Sequence, residues 1–279
     1  MSKHLTLVLT LFTFIGFGVA QNPHLPRASK PDPAAEQAAR QAQLSHKVDS
    51  PDATSNCSYT FTTGTGQNFL QSCVTVNGNV VEFQSPESKE SIRVGSYGEG
   101  YGFCDFNSNV AYYDYADYGD SGNWLAPTTV SHNATSAKIV RTTSDGIWTL
   151  TQTITQVAGT ASVKVSMALK NNTGIERAGL LLRWVDADAD STYNNNWGST
   201  SESAFAWNTY GYGLVMQSVA PWTYLEYGYV NSGHPNPCDT GASIIDSPVN
   251  GDYGMFLLYF ISSVPKNATK TVALTYKTM

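Results

Sequence analysis

Three aspartates stand at alternate positions in the stretch LLLRWVDADAD, namely Asp186, Asp188 and Asp190. Alternate side chains of an extended strand share one face, so neighbouring carboxylates in this row would be only about 6 to 7 Å apart. Like charges at that distance repel one another, and a hard cation offsets the repulsion because Ca²⁺ binds several carboxylate and amide oxygens. Asn194 follows closely, so we predict a calcium site formed by Asp186, Asp188, Asp190 and Asn194.

The acidic row continues an apolar stripe, because Leu180, Leu182 and Trp184 fall on the same face of the predicted strand. The EF-hand pattern is absent, since it requires a glycine and a glutamate where this chain has Ser191 and Trp197. The alternative to a cation site is a strand that leaves the core and ends in a polar, solvent-exposed loop.

A second acidic window covers residues 105–123 and includes Asp105, Asp114, Asp117 and Asp120. The two windows together hold seven of the fourteen aspartates, which favours a local purpose over general solubility. If the windows meet in space, they could form one calcium site or a carboxylate pair for acid–base work on a sugar.

Catalysis is therefore a second hypothesis for these acids. Glu99 stands between glycines in SYGEGYGF and is the candidate general acid. Its partner would be Asp105, Asp186 or Asp188, giving a glycoside hydrolase or a polysaccharide lyase. The alternative for Glu99 is a loop acid beside a glycine-rich turn.

Aromatic residues are dense around both acidic windows. Aromatic rings flanked by Asp and Asn commonly hold sugars, because the ring stacks on the C–H face while amides and carboxylates bind hydroxyls. Aromatic residues also favour strands, so at least half of them should belong to the core. The ligand-binding candidates are Tyr97, Tyr101, Tyr118, Trp124, Trp197 and Trp222.

The N-terminus predicts export. A short basic start precedes the uncharged apolar run Leu5 to Val19, and Ala20 ends a small-residue cleavage site, so residues 1–20 form a signal peptide. Residues 21–55 are rich in Pro and Ala and predict a flexible or partly helical spacer. No later stretch has the roughly 20 apolar residues that a membrane span requires. The formal net charge of −6 argues against nucleic acid as a partner.

Four cysteines in an exported chain predict disulfides. We expect Cys57 to pair with Cys73 across one hairpin, and Cys104 to pair with Cys238, tying a middle strand to a late loop. Their spacing does not fit a zinc site.

The fold class follows from period-two patterns after residue 55. Trp148, Leu150 and Ile154 alternate with Thr149, Thr151, Thr153 and Thr155, and 163–170 alternates in the same way. One buried and one wet face per strand is typical of antiparallel sheets stacked as a sandwich. We predict an all-β, large two-layer sandwich formed by residues 56–279.

These observations favour a secreted β-sandwich, extracellular or periplasmic, that binds carbohydrate or a cell-surface glycan through Ca²⁺-stabilised acidic loops. The alternatives are the Glu99-dependent hydrolase or lyase and a structural surface protein without a small ligand.

Overall fold

The computed structural model describes residues 56–92, 98–219, 225–231, 233–240 and 250–279. The predicted signal peptide and spacer, and with them Tyr97 and Trp222, lie outside the described residues. Within the described ranges the chain has three short 3₁₀ helices, Gly66–Asn68, Ala116–Tyr118 and Ala189–Ser191. No helix there is long and apolar enough to cross a membrane.

Seventeen strands form the described part of the chain. They are β1 (Tyr59–Thr63), β2 (Leu70–Val74), β3 (Val80–Gln84), β4 (Glu99–Asp105), β5 (Val110–Asp114), β6 (Thr128–His132), β7 (Ser136–Thr142), β8 (Trp148–Gln156), β9 (Ser162–Asn171), β10 (Arg177–Asp186), β11 (Asn195–Thr200), β12 (Ser203–Trp207), β13 (Gly213–Val219), β14 (Leu225–Asn231), β15 (Asn250–Gly251), β16 (Tyr253–Val264) and β17 (Thr269–Thr278).

The strands form three antiparallel sheets. The nine-stranded sheet has the order β15-β11-β12-β13-β17-β9-β8-β7-β6, the five-stranded sheet has the order β14-β16-β10-β4-β5, and β1, β2 and β3 form the third. The predicted all-β antiparallel sandwich is thereby confirmed. Strands β6, β11 and β15 were not predicted, because TTVSH, NNWGST and the two residues of β15 show no apolar alternation over the length of a strand.

The sheets share one apolar core, to which most of the described strands contribute buried residues. On β10, Leu181 and Val185 face this core, whereas Leu182 and Trp184 face the opposite side of the five-stranded sheet and form a separate cluster. The period of two therefore gives the five-stranded sheet two apolar faces, one internal and one external.

A buried ion pair crosses the core. Arg183 on β10 binds Glu99 on β4 through two nitrogens, at 2.5 and 2.8 Å, and both side chains are fully buried. The same carboxylate accepts hydrogen bonds from the Tyr276 hydroxyl on β17 and the Val80 backbone on β3. Burial raises the pKa of the Glu99 carboxyl, while Arg183 and Tyr276 act in the opposite direction. This pair connects all three sheets.

A second buried network lies beside it. Arg141 on β7 binds Asp114 on β5 at 2.7 Å, and the Asp114 carboxylate also accepts bonds from the amides of Asn77 and Asn79. Burial raises the pKa of the Asp114 carboxyl against the attraction of Arg141. These three side-chain partners of one carboxylate stabilise the buried charge and fix β5 against β7.

Two disulfides join the predicted pairs, Cys57 with Cys73 and Cys104 with Cys238. The second holds residues 233–240 against the external face of the five-stranded sheet. There the His234 ring packs against Tyr113 and Tyr115, with ring centroids 4.9 and 4.8 Å apart. Burial lowers the pKa of His234 below its usual 6.5.

The buried ion pair predicts the effect of Glu99→Gln. If Glu99 is ionised in the core, this change leaves the Arg183 charge without its counter-ion and lowers the free energy of unfolding by about 3–5 kcal/mol. Urea unfolding followed by tryptophan fluorescence measures the loss. The exposed Glu202→Gln is the control and should change stability by less than about 0.5 kcal/mol. Equal stability of the two variants would show that Glu99 is protonated in the folded protein.

His234 predicts a pH dependence of stability. Its folded pKa is lower than its unfolded pKa of about 6.5, so the unfolded chain binds the proton more tightly. The contribution of the neutral His234 ring to the free energy of unfolding is therefore complete above pH 6.5. This contribution is lost as the pH falls through the folded pKa. We expect the melting temperature of wild type to fall more between about pH 7.5 and 5 than that of His234→Phe, which keeps the ring contact. Parallel pH profiles would contradict this.

Candidate functional site

The external face of the five-stranded sheet is the candidate site. Trp184 lies at its centre, with its ring 5.4 Å from that of Tyr115 and 5.1 Å from that of Tyr118, both edge to face. Phe256 and Leu258 on β16 complete the cluster. The edge-to-face contacts hold the indole ring of Trp184 in one orientation. Tyr118, which packs against this ring, is partly exposed to solvent.

Glycines make room for the indole of Trp184. A Cβ on Gly254 would lie 2.3 Å from the indole nitrogen, and one on Gly98 would lie 3.0 Å from the ring edge. Any other residue at Gly254 would force the ring to move. The glycine-rich stretch around Glu99 therefore serves close packing of an aromatic ring on the outer face.

A stack of three rings borders the cluster. Tyr113 and Tyr115 are stacked at 5.4 Å, and His234 covers both. Tyr113 and His234 are partly exposed, whereas Tyr115 is buried. Burial raises the pKa of both tyrosines, so their hydroxyls stay protonated at neutral pH. The stack presents a neutral aromatic surface to solvent.

Two buried polar atoms of this face have no hydrogen-bond partner among the described residues. They are the Tyr115 hydroxyl and the indole nitrogen of Trp184. Unsatisfied buried donors are uncommon in native proteins, and they are expected where a water molecule or a ligand group binds.

An aspartate cluster adjoins the aromatic face. Carboxylate oxygens of Asp186, Asp188 and Asp252 all lie within 4.8 Å of one another. Asp186 and Asp188 are buried, and Asp252 is partly exposed. The Tyr118 hydroxyl donates a hydrogen bond to Asp186, which links the cluster directly to the aromatic face. Three carboxylates at this spacing could hold a metal ion.

Asp190, which was also predicted as a metal ligand, is not a member of this cluster. The extended backbone ends at Asp186, and the 3₁₀ turn Ala189–Ser191 includes Asp190 with a left-handed φ of 52°. This turn directs the Asp190 carboxylate to Lys89, at 2.8 Å, instead of continuing the row. Asn194 is exposed, whereas the neighbouring Asn195 is buried and binds the backbone of Ala187 and Ala189.

The carboxylates of the second acidic window do not join this cluster. Asp105 is buried at the opposite end of β4, roughly 20 Å away by strand register, where it binds Arg177 and the indole of Trp148. Asp114 and Asp120 both contact Arg141. The window reaches the cluster through a tyrosine, Tyr118, and not through an acid.

The two candidate catalytic acids occupy the interior. Glu99 and Asp105 each have a fully buried side chain with an arginine partner. Glu99 faces the core, whereas Asp186 lies on the external face of the same sheet, so the two carboxylates do not face a common cleft in this structure. In this structure the Glu99 carboxylate pairs with Arg183 and helps to connect the three sheets.

Of the predicted aromatic ligands, Tyr118 lies in the candidate site. Tyr101 is buried in the core, where its hydroxyl binds the Asn77 carbonyl, and Trp124 packs beside it. Trp197 is 5% exposed and packs between Tyr229 and Tyr253. Three of the four candidate rings among the described residues therefore lie in the core.

Four residues of the site were not singled out as candidates from the sequence. Asp252 stood out only as part of the turn signal VNGDYG, and Tyr113, Tyr115 and His234 resembled ordinary strand and loop residues. The available sequence signal for the two tyrosines was the alternation at the end of β5. Alternate residues of an extended chain share one face, so Tyr113 and Tyr115, the residue after β5, are expected on the same side.

The sequence matches no protein-family model, and no curated protein sequence is significantly similar to it. Several solved structures have a fold similar to that of this chain. A bacterial glucoamylase in complex with acarbose has a TM-score of 0.55 and 10% identity over 81% of this chain, which spans 33% of the glucoamylase. At this identity the match shows a shared fold.

Two further solved structures align with this chain over nearly their whole length. A putative aldose 1-epimerase from Escherichia coli K12 has a TM-score of 0.49 and 11% identity, over 79% of this chain and 99% of its own. A galactose mutarotase-like protein from Lactobacillus casei has a TM-score of 0.47 and 7% identity, over 79% of this chain and 100% of its own.

Proposed function

We propose that this protein is a secreted carbohydrate-binding β-sandwich whose site is the external face of the five-stranded sheet. The observation that carries the proposal is the junction of the aromatic face with the aspartate cluster, made by the Tyr118–Asp186 hydrogen bond. Such a junction offers a sugar both a stacking surface and acceptors for its hydroxyls.

The partly exposed rings supply the stacking surface. Tyr113, Tyr118 and His234 are supported from below by Tyr115 and Trp184, which are fully buried and fix their orientation. A surface that is rigid before binding loses little conformational entropy when a sugar ring stacks on it. The stacked rings carry no charge at neutral pH, which suits a neutral sugar.

Calcium is the metal we propose for the aspartate cluster. Asp186, Asp188 and Asp252 supply hard oxygen ligands, and partial exposure of Asp252 leaves a side from which the ion and its water molecules enter. The ion would neutralise the buried carboxylates and fix the loop between β15 and β16 next to Tyr118.

Two further facts support this function. The two disulfides fit an oxidising compartment, as the predicted signal peptide requires. The fold is shared with a glucoamylase crystallised with acarbose. Fold alone does not determine function, so the proposal depends on the site.

Substitution of the exposed ring tests the sugar site. We expect wild type to bind at least one member of an array of glucans, xylans, mannans and galactans. Tyr118→Ala should weaken that binding two- to tenfold or more, because a stacked ring contributes about 0.5–1.5 kcal/mol beyond its area. Equilibrium binding to the selected oligosaccharide gives the affinity.

The matched control is Tyr210→Ala. Tyr210 is 83% exposed in the turn after β12 and lies outside the site. Equal losses in the two variants, or no binding by wild type to any sugar, would refute the proposed site. Release of reducing ends that persists in Tyr118→Ala would instead indicate a hydrolase with a different site.

A comparison of two aspartate variants tests the calcium site. Metal ions are first removed from the full-length protein with a chelator, and the chelator is then removed. Isothermal titration calorimetry with CaCl₂ should show one binding event in wild type. Asp252→Asn should weaken it strongly because a ligand charge is lost, whereas Asp190→Asn should leave it unchanged because Asp190 binds Lys89. Loss of Ca²⁺ binding in Asp190→Asn alone would instead support the ligand set predicted from the sequence. Absence of a heat of binding in wild type would exclude a Ca²⁺ site.

A further inference from the structure

The external face of the nine-stranded sheet has an unusual charge pattern. Four lysines point outward from it, Lys138, Lys164, Lys170 and Lys277, and no described strand of this sheet contains Asp or Glu. The whole chain has a formal net charge of −6, so this face has the opposite sign to the protein average. The acids nearest in sequence to its strands, Asp145, Glu202 and Asp252, lie between strands.

Three of these lysines form a diagonal across the sheet. Lys138 pairs in register with Thr153, which pairs with Ser166, two residues from Lys164 on β9. Lys277 pairs with Ser162 on the other side of β9. Strand spacing and rise then put Lys138 about 12 Å from Lys164, and Lys164 about 8 Å from Lys277.

Hydroxyl groups fill the space between the lysines. Thr153 on β8 pairs in register with Ser166 on β9. Lys164 on β9 lies between Thr155 on β8 and Thr275 on β17, which pair with it on either side. Lys164 lines a surface depression of about 500 Å³ together with the hydroxyl-bearing Thr153, Thr155 and Ser166 and with the apolar Val157 and Ala158. An ammonium group surrounded by hydroxyls can bind a carboxylate and the hydroxyls of the sugar that carries it.

We propose that this face binds an acidic polysaccharide, a chain of uronate sugars, along the diagonal of Lys138, Lys164 and Lys277. Charge complementarity favours a polyanion. The wide lysine spacing favours a chain with at most one charge per sugar over duplex nucleic acid, which carries about one charge per 1.7 Å. The face lies across the sandwich from the aromatic site, so this proposal is independent of the first.

Affinity electrophoresis of the full chain in gels containing polygalacturonate tests the proposal. A chelator is included so that Ca²⁺ cannot bridge protein and polymer. Wild type should be retarded at low ionic strength, and the retardation should decrease as salt is raised to about 0.5 M, because exposed ion pairs are screened. A neutral polysaccharide that wild type does not bind in the sugar array is the uncharged control, and it should cause no retardation.

Charge-matched triple variants give the decisive comparison. Lys138→Gln/Lys164→Gln/Lys277→Gln should weaken binding to polygalacturonate about tenfold. Lys89→Gln/Lys266→Gln/Lys270→Gln, with the same change in net charge away from the diagonal, should stay within about twofold of wild type. Melting temperatures verify that both variants fold.

Three results would overturn the proposal. They are no retardation of wild type, equal losses in the two triple variants, and equal or tighter binding of wild type to duplex DNA or heparin. The last result would indicate a general polyanion surface in place of a polyuronate site. Binding of neutral sugars at the aromatic site should be the same in both triple variants, so failure of either proposal can be recognised separately.

Discussion

The Glu99–Arg183 pair is the interaction on which the arrangement of the sheets depends. Its charges lie where the five-stranded sheet meets the other two, and Tyr276, Gln152 and the Gly78 and Val80 backbones complete its hydrogen bonds. A buried pair of this kind adds little net stability compared with apolar residues, but it is costly to leave half formed. It therefore selects one register between β4, β10 and the neighbouring sheets.

That register determines the external face. Because β4 and β10 alternate, fixing Glu99 and Arg183 inward fixes Gly98, Trp184 and Asp186 outward. The indole can then occupy the space that the glycines leave, and Tyr118 can reach Asp186. The polar core and the candidate site are thus two sides of the same pair of strands.

Local patterns predicted the fold well, and they predicted the site only in part. The alternation at Trp148–Gln156 and Ser162–Asn171 specified strands, hairpin and buried face, because a period of two is a property of the local chain. Asp190 departed from its expected row because a 3₁₀ turn rotated it, and turn conformation depends on contacts such as that with Lys89. Asp252 joins the cluster across more than sixty residues, a proximity that only the tertiary fold creates.

Burial likewise separates residues that share a type. Tyr101, Trp124 and Trp197 have the same chemistry as Tyr118, yet the core contains the first three. Sequence composition around them is similar, with aspartates and asparagines nearby in every case. Their exposure depends on which sheet covers which face, and no local window encodes that.

The two ends of the nine-stranded sheet differ from its middle. One end is β15, which has two residues, and the other is β6, where a bulge between Thr129 and Ser131 interrupts the ladder. Long, regular edge strands invite pairing with a second molecule, and short or bulged ones do not. A protein with so wide an open sheet can therefore reach high local concentration without polymerising edge to edge.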